Sequence, residues 1–342
     1  MLASVILPTY NRAYCLADTL DSILSQSYDP LEVIVLDDGS TDGTEDLVSS
    51  RYGADSRVRY IRTPNRGVSA ARNAAMAQAR GEILVFADSD DLWTAERLPL
   101  QMEAFERFPD VDLVWSDVTA VNAEGAVLHE RYTRVCYPAW NEAPIEQLFE
   151  RSEPIGAGGR VYVGDIFVTM LKGTLINMPS VAVRSRVLAR VGQFDPTMAT
   201  GEDYDFNLRV CQAARVAFID IPTVRYRTGA VDQLTHESLH ADQARNWFRS
   251  FERFQSRNQL PRELTQATLR RILAGKYRWL GFSELAAGNR GKARSALWRS
   301  TLNGGGSVRV WLTFLATLFP AALEKLLRNA YYMLKSPARS AD

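Results

Sequence analysis

Cysteine and histidine are scarce in this chain, three of each in 342 residues. Cys15, Cys136 and Cys211 are widely spaced and form no C-x-x-C pair. That excludes a cysteine-built metal cage and an obvious disulfide framework, and a reducing compartment is the simplest fit. His129, His236 and His240 are too few to build a histidine metal centre. No G-x-G-x-x-G follows the first strand, which argues against a dinucleotide enzyme. A nucleotidyltransferase would carry a glycine- and basic-rich phosphate loop there, and the position holds Pro8-Thr9-Tyr10-Asn11-Arg12 instead. Long hydrophobic runs are missing too. The longest uncharged apolar one, Val310 to Leu323, is interrupted by Pro320 and is too short to span a bilayer. The first residues, Met1-Leu2-Ala3-Ser4-Val5-Ile6-Leu7-Pro8, enter a strand without the basic start of a signal peptide. A cytoplasmic protein is expected, with peripheral attachment to the inner face of the cytoplasmic membrane as an option.

What remains is an ordinary folding composition, 46% hydrophobic and 23% charged. Net charge is zero but unevenly spread. Residues 241–342 carry 18 Lys and Arg against six Asp and Glu, a net +12, which leaves −12 on the first 240. This asymmetry suggests two regions, expected at 1–235 and 236–342. The basic helices of the second could meet an anionic membrane surface. The same charges could equally be solvated faces or partners of the acidic half.

Runs of β-formers and helical periodicity alternate through the first half. Strands are expected at 4–7, 31–36, 58–61 and 83–87, with helices at 17–26 and 69–79. The strand-helix alternation predicts an α/β fold with a doubly wound, mostly parallel sheet covered by helices on both faces. Another strand at 113–117 precedes a hairpin over 118–128, with Gly125 in its turn. Residues 130–175 read as irregular. A strand at 181–184, helices at 187–191 and 203–213, and a strand at 216–219 follow. Beyond residue 240 the pattern is helical. Part of it, Trp279-Leu280-Gly281 and Ala286-Ala287-Gly288-Asn289, resembles a single tetratricopeptide hairpin. The apolar helix expected at 308–327 reads as core, with an in-plane membrane helix as its alternative.

The apolar strand before Phe86-Ala87-Asp88-Ser89-Asp90-Asp91 stops on three carboxylates. Open α/β sheets bind ligands at the carboxyl ends of their strands. Clustered carboxylates repel unless a cation or donors lie between them. A hard divalent ion, Mg²⁺ or Mn²⁺, suits such a group. The plainer alternative is an acidic N-cap for a helix starting near Leu92.

Further strand ends carry Pro8-Thr9-Tyr10-Asn11-Arg12, Asp37-Asp38-Gly39-Ser40-Thr41-Asp42 and Gly201-Glu202-Asp203-Tyr204-Asp205. Between them lies Pro64-Asn65-Arg66-Gly67-Val68-Ser69-Ala70-Ala71-Arg72-Asn73. With these motifs, residues 3–230 resemble the family-two glycosyltransferases of the GT-A fold, which use nucleotide-sugar donors. The resemblance implies that Pro8, Thr9 and Tyr10 line the base pocket and that Asp38 accepts the uracil N–H. It places Arg12, Arg66 and Arg72 toward the donor, the last two at its ribose or diphosphate. Asp88 would touch the ribose or the metal, Asp90 would be the main metal ligand, and Asp91 would share or replace it. Asp203 matches the catalytic base, with Glu202 its nearest competitor, and Asn177-Met178-Pro179-Ser180 flanks the acceptor side.

The family's processive synthases carry a Q-x-x-R-W motif. Arg278-Trp279 has Gly275 at the Gln position, so transfer of one sugar or a few is expected. The histidine that often follows Tyr226-Arg227 is replaced by Gly229, with His236 a speculative substitute. The resemblance thus implies an inverting transferase. It would move sugar from a nucleotide-sugar, with UDP expected, to a saccharide or lipid-linked saccharide of a surface polysaccharide or cell-envelope glycan. No nucleic-acid partner is expected. The alternative is a catalytically inactive transferase fold that binds nucleotide or carbohydrate.

Overall fold

The structure is a computed structural model, and it describes residues 1–229 and 239–318. The chain divides into two compact units, Met1–Gln233 and Leu234–Asp342.

The first unit is built on one mixed sheet. Its strands are β1 (Ala3–Thr9), β2 (Leu31–Asp37), β3 (Val58–Arg62), β4 (Ile83–Phe86), β5 (Leu92–Trp93), β6 (Val111–Val121), β7 (Val127–His129), β8 (Arg151–Ile155), β9 (Gly159–Gly164), β10 (Ala182–Arg184) and β11 (Arg215–Arg227). The order along the sheet is β3-β2-β1-β4-β10-β6-β11-β9-β8, with β5 beside β11 and β7 beside β6. β3, β2, β1 and β4 run parallel, as the strand-helix alternation requires. Every residue of β1 and β2 is buried, which explains their continuous apolar sequence.

Beyond β4 the sheet is mixed: β6 and β11 are parallel to each other, but their other neighbours are antiparallel. β10 runs antiparallel to both β4 and β6, and the β8–β9 hairpin adds two more antiparallel strands beyond β11. That hairpin falls within 130–175, which is therefore not irregular. Arg-Ser-Glu-Pro-Ile and Gly-Arg-Val-Tyr-Val-Gly alternate too weakly to read as strands. β11 is 13 residues long where four were expected, because Pro222 and polar residues interrupt its apolar run and register shifts accommodate them. The hairpin with Gly125 in its turn is present as β6–β7, with Gly125 at φ +81°.

Within the second unit, helices span His240–Ser256, Gln266–Ala286, Arg290–Leu302 and Val308–Ala316. The middle two pack where Gly281 lets Leu297 approach: a Cβ at Gly281 would sit 2.7 Å from that side chain. The 308–327 expectation runs past Leu318 and so lies partly outside the described residues. Of the helix Val308–Ala316, only Val310 is fully buried, so this segment is not core. Among the described residues no helix is long and apolar enough to cross a membrane.

Candidate active site

Because β2, β1 and β4 are parallel neighbours, their carboxyl ends share one edge of the sheet. The loops there are fastened to one another. The carbonyl of Thr9 accepts the Asp38 N–H at 2.8 Å. Asn11, left-handed at φ +53°, donates its N–H to Ser40 Oγ and accepts the Thr41 N–H on Oδ1, both at 2.8 Å. Asp37 performs the turn job, accepting the Ser40 N–H at 2.7 Å and the Tyr60 hydroxyl. Asp38 takes the N–H groups of Arg66 and Gly67, one on each carboxylate oxygen, at 2.8 Å. Each oxygen keeps a second lone pair for a ligand.

Pro8 is buried inside β1 opposite Leu36, not presented as a pocket wall. Tyr10, one residue beyond the strand, is 45% exposed and offers its ring. Thr9 is buried and its hydroxyl oxygen has no partner. The Arg66 side chain is exposed, and its backbone is what holds Asp38.

The second half of the site comes from two helix starts. The helix Val68–Gln78 begins at Gly67 and the helix Glu202–Ala213 at Gly201, both glycines left-handed in φ. Arg72 on the first, expected at the ribose or diphosphate of the donor, is buried and paired with carboxylates. It donates to Glu202 Oε1 at 2.6 Å and to Asp88 Oδ1 at 3.0 Å, and its guanidinium stands 5.4 Å from the Phe194 ring. Asn73 exchanges two hydrogen bonds with the backbone of Phe194, each 2.9 Å, and Ser69 Oγ donates to the Met198 carbonyl at 3.1 Å. One helix thereby fixes the loop that delivers Glu202 and Asp203.

Burial, then the charge of Asp203, lifts Glu202 to about 7, against the pull of Arg72. Burial lifts Asp203 as well, while the Tyr204 N–H and Arg72 oppose it and Asp88 adds repulsion. Two adjacent carboxylates whose proton affinities are raised and coupled are suited to proton transfer near neutral pH.

The three aspartates after β4 part company. Asp91 is fully buried and accepts the Arg227 N–H at 3.0 Å, and its other oxygen has no partner. Burial and then the charges of Asp90 and Asp88 push its carboxyl well above the ordinary range. It is not placed to share a metal at the surface with Asp90. The acidic N-cap reading also fails. Leu92–Trp93 is β5, paired antiparallel with β11, and the next helix starts at Arg97. Arg97 is fully buried, lies 3.7 Å from the Trp93 ring, and is brought down to about 9 by burial.

Asp88 and Asp90 remain at the edge of the sheet, with Arg12 Nε 3.9 Å from Asp90. Among the described residues no three His, Cys, Asp or Glu side chains gather to enclose an ion. Their oxygens do fit a hard divalent cation held by one or two carboxylates and completed by substrate phosphates.

Tyr137, which the sequence did not single out, lies on the Asp203 side with Asn177, which it did. Tyr137 receives the Asn177 Nδ2–H at 3.4 Å. Its hydroxyl is pushed upward by burial and by Cys136, Asp203 and Tyr226. Asn177 is buried with Oδ1 unpartnered. Tyr137 follows a short helix, Tyr132–Cys136, anchored by Asp117, which accepts from the N–H and hydroxyl of Thr133. The polar pair Ser116-Asp117 within an apolar strand was the available signal. Downstream, Tyr226 stacks on Tyr132 at 5.9 Å. Gly229 is left-handed, and His236 lies outside the described residues.

Residues 4–167 match the family model described as Glycosyl transferase family 2. The putative teichuronic acid biosynthesis glycosyltransferase TuaG of Bacillus subtilis is 41% identical over 103 residues, 30% of this chain and 41% of that protein. Chondroitin synthase of Pasteurella multocida is 33% identical over 147 residues, 43% of this chain and 15% of that one. The chain spans less than half the length of these relatives. Among solved structures, S. aureus TarS superposes with a TM-score of 0.62 at 22% identity, over 97% of this chain and 53% of that one. The mannosyltransferase PcManGT of Pyrobaculum calidifontis, in complex with GDP-Man and Mn²⁺, superposes at 0.55 with 22% identity, over 98% and 81%. At these identities the likeness establishes the fold, that of GT-A glycosyltransferases.

Proposed function

From the premise that the N-terminal unit belongs to glycosyl transferase family 2, we propose that this protein transfers a glycosyl group from a nucleotide-sugar to a hydroxyl of a saccharide acceptor, with inversion. The carrying observation is the Arg72 bridge. One buried guanidinium ties Asp88, after β4, to Glu202, beside the proposed base Asp203.

In this reading the nucleobase stacks on the exposed Tyr10 ring, and Asp38 accepts an imide N–H, the edge that uracil offers. Arg12 and Arg66 supply positive charge for the diphosphate. Asp203 takes the acceptor hydroxyl proton as that oxygen bonds to the anomeric carbon. The bond from that carbon to the diphosphate breaks, and the diphosphate leaves with the electron pair. Arg72 acts as a positioning residue, holding the donor end and the base end in fixed relation. Asp88 and Asp90 would hold Mn²⁺ or Mg²⁺, which when bound neutralises charge on the departing diphosphate. Asn177 and Tyr137 belong to the acceptor side. A cell-envelope glycan or lipid-linked saccharide is the proposed acceptor class, supported by the name of the teichuronic acid relative.

Calorimetric titration with UDP and with GDP, each with Mn²⁺ and with EDTA, tests the donor site. Binding of UDP over GDP that requires metal is expected. A preference for GDP would overturn the Asp38 assignment. UDP binding without any transfer to a panel of saccharide acceptors would favour an inactive binding protein.

A further inference from the structure

The helix Val308–Ala316 opens on a Ser307 cap, whose Oγ accepts the Val310 N–H, and carries a single charge, Arg309. It turns most of its apolar residues outward. Trp311 is 41% exposed, Leu312 53% and Leu315 46%. The preceding helix continues the face with Trp298, 45% exposed, and Leu302. The rings of Trp298, Trp311 and Phe314 stand 5.7 to 6.2 Å apart, so the aromatic residues form one cluster. Contiguous apolar exposure of this kind marks an interaction surface.

Along this stretch of sequence the charge has one sign. From Arg290 to Leu318 the chain carries Arg290, Lys292, Arg294, Arg299 and Arg309, and no Asp or Glu. Two of these cations are fixed at the end of the exposed helix, where Arg290 donates to the Ala316 carbonyl and Arg294 to the Thr317 carbonyl, each at 2.7 Å. Lys292 is exposed. An apolar helix face with two tryptophans, on a stretch of chain that carries cations and no acidic residue, matches the boundary of an anionic bilayer. Indole rings favour the headgroup level, aliphatic side chains the acyl boundary, and cations the lipid phosphates.

We infer that this face seats the C-terminal unit on an anionic lipid surface, with the helix Val308–Ala316 lying in the plane of the interface. The inference does not depend on the transferase reading, since binding to lipid is measured without turnover.

The experiment is flotation of the full chain with vesicles of phosphatidylglycerol and, separately, of phosphatidylcholine. Strong binding to the first, weak binding to the second and loss at high salt are expected. Trp311→Ser with Leu315→Ser should lower binding to phosphatidylglycerol roughly tenfold or more. Lys292→Glu with Arg309→Glu should lower it by about fivefold or more per site, with UDP affinity unchanged in both. Lys292 and Arg309 are themselves exposed, and thermal melts of this pair check its folding, so it decides the matter if the apolar pair fails to fold. Absence of binding to either vesicle, or binding that both pairs leave unchanged, overturns the inference. So does a dimer in sedimentation equilibrium that Trp311→Ser with Leu315→Ser turns into monomer, which would assign the face to a second copy of the chain.

Discussion

Arg72 binds carboxylates from segments far apart in sequence, Asp88 and Glu202; its pair with Glu202 is buried on both sides, while Asp88 is partly open to solvent. A buried cation between two carboxylates costs several kcal/mol if left alone, so its removal strands the charges it served. Its effect on the proposed base follows in sign. Burial raises both Glu202 and Asp203, and Arg72 lowers both. Transfer needs the base ionised, so the rate rises with pH along an acid limb that belongs to the coupled pair. Arg72→Gln should move that limb to higher pH; a limb that stays in place or moves down would sink the coupling. Asp203→Asn should lower kcat by about 10²–10⁴ while calorimetric UDP binding persists, and near-normal transfer would transfer the role to Glu202. The charged residues of this network were legible as strand-end and helix-start side chains of the right chemistry. The pairing of Arg72 with a residue 130 positions away was not, because no local pattern encodes a contact made by two loops meeting. Tyr137 was missed for the same reason, while Asn177 was placed only by the resemblance, on the acceptor side.

At the scale of elements, one turn decides whether Asp38 is held for a base. Gly39 sits at φ +84°, and an added Cβ would come within 2.9 Å of the Asn65 backbone nitrogen. Alanine there costs about 1–2 kcal/mol for the left-handed backbone alone. The clash also drives the 63–67 loop away, and with it the two N–H groups that orient Asp38. Gly125 in the β6–β7 turn has nearly the same φ, +81°, but open space around it. Gly39→Ala should weaken UDP binding about tenfold or more, whereas Gly125→Ala should shift only the thermal midpoint. Equal UDP affinity in the two variants would remove Asp38 from the base pocket. The parallel half of the sheet was readable, since buried strands leave continuous apolar runs between helical periods. β5, β8 and β9 were not. Two residues carry no period, and a hairpin containing Pro154 and four glycines owes its strands to the neighbour β11 rather than to its own propensity.

For the whole molecule, the opposite charges of the first 240 residues and the remainder are a property of sequence, and the two compact units each have their own buried core. In the first, β1, β2 and β4 bury Val5, Val33, Val35 and Val85 against Leu16, Leu20 and Ile23 of the helix Leu16–Leu24, all drawn from residues before 90. The proposed donor and base residues, from Tyr10 to Asp203, also lie within Met1–Gln233. A core and a site complete within one unit do not require the helical remainder for their formation. Residues 1–233 produced alone should therefore unfold in a single cooperative transition and bind UDP with an affinity close to that of the full chain. Soluble protein that binds UDP but no longer floats with phosphatidylglycerol vesicles would separate the two activities by unit. A fragment that stays unfolded, or folds and loses UDP binding, would mean that the helical remainder completes the donor site, and the assignment of that site to strand ends of the first unit alone would fall.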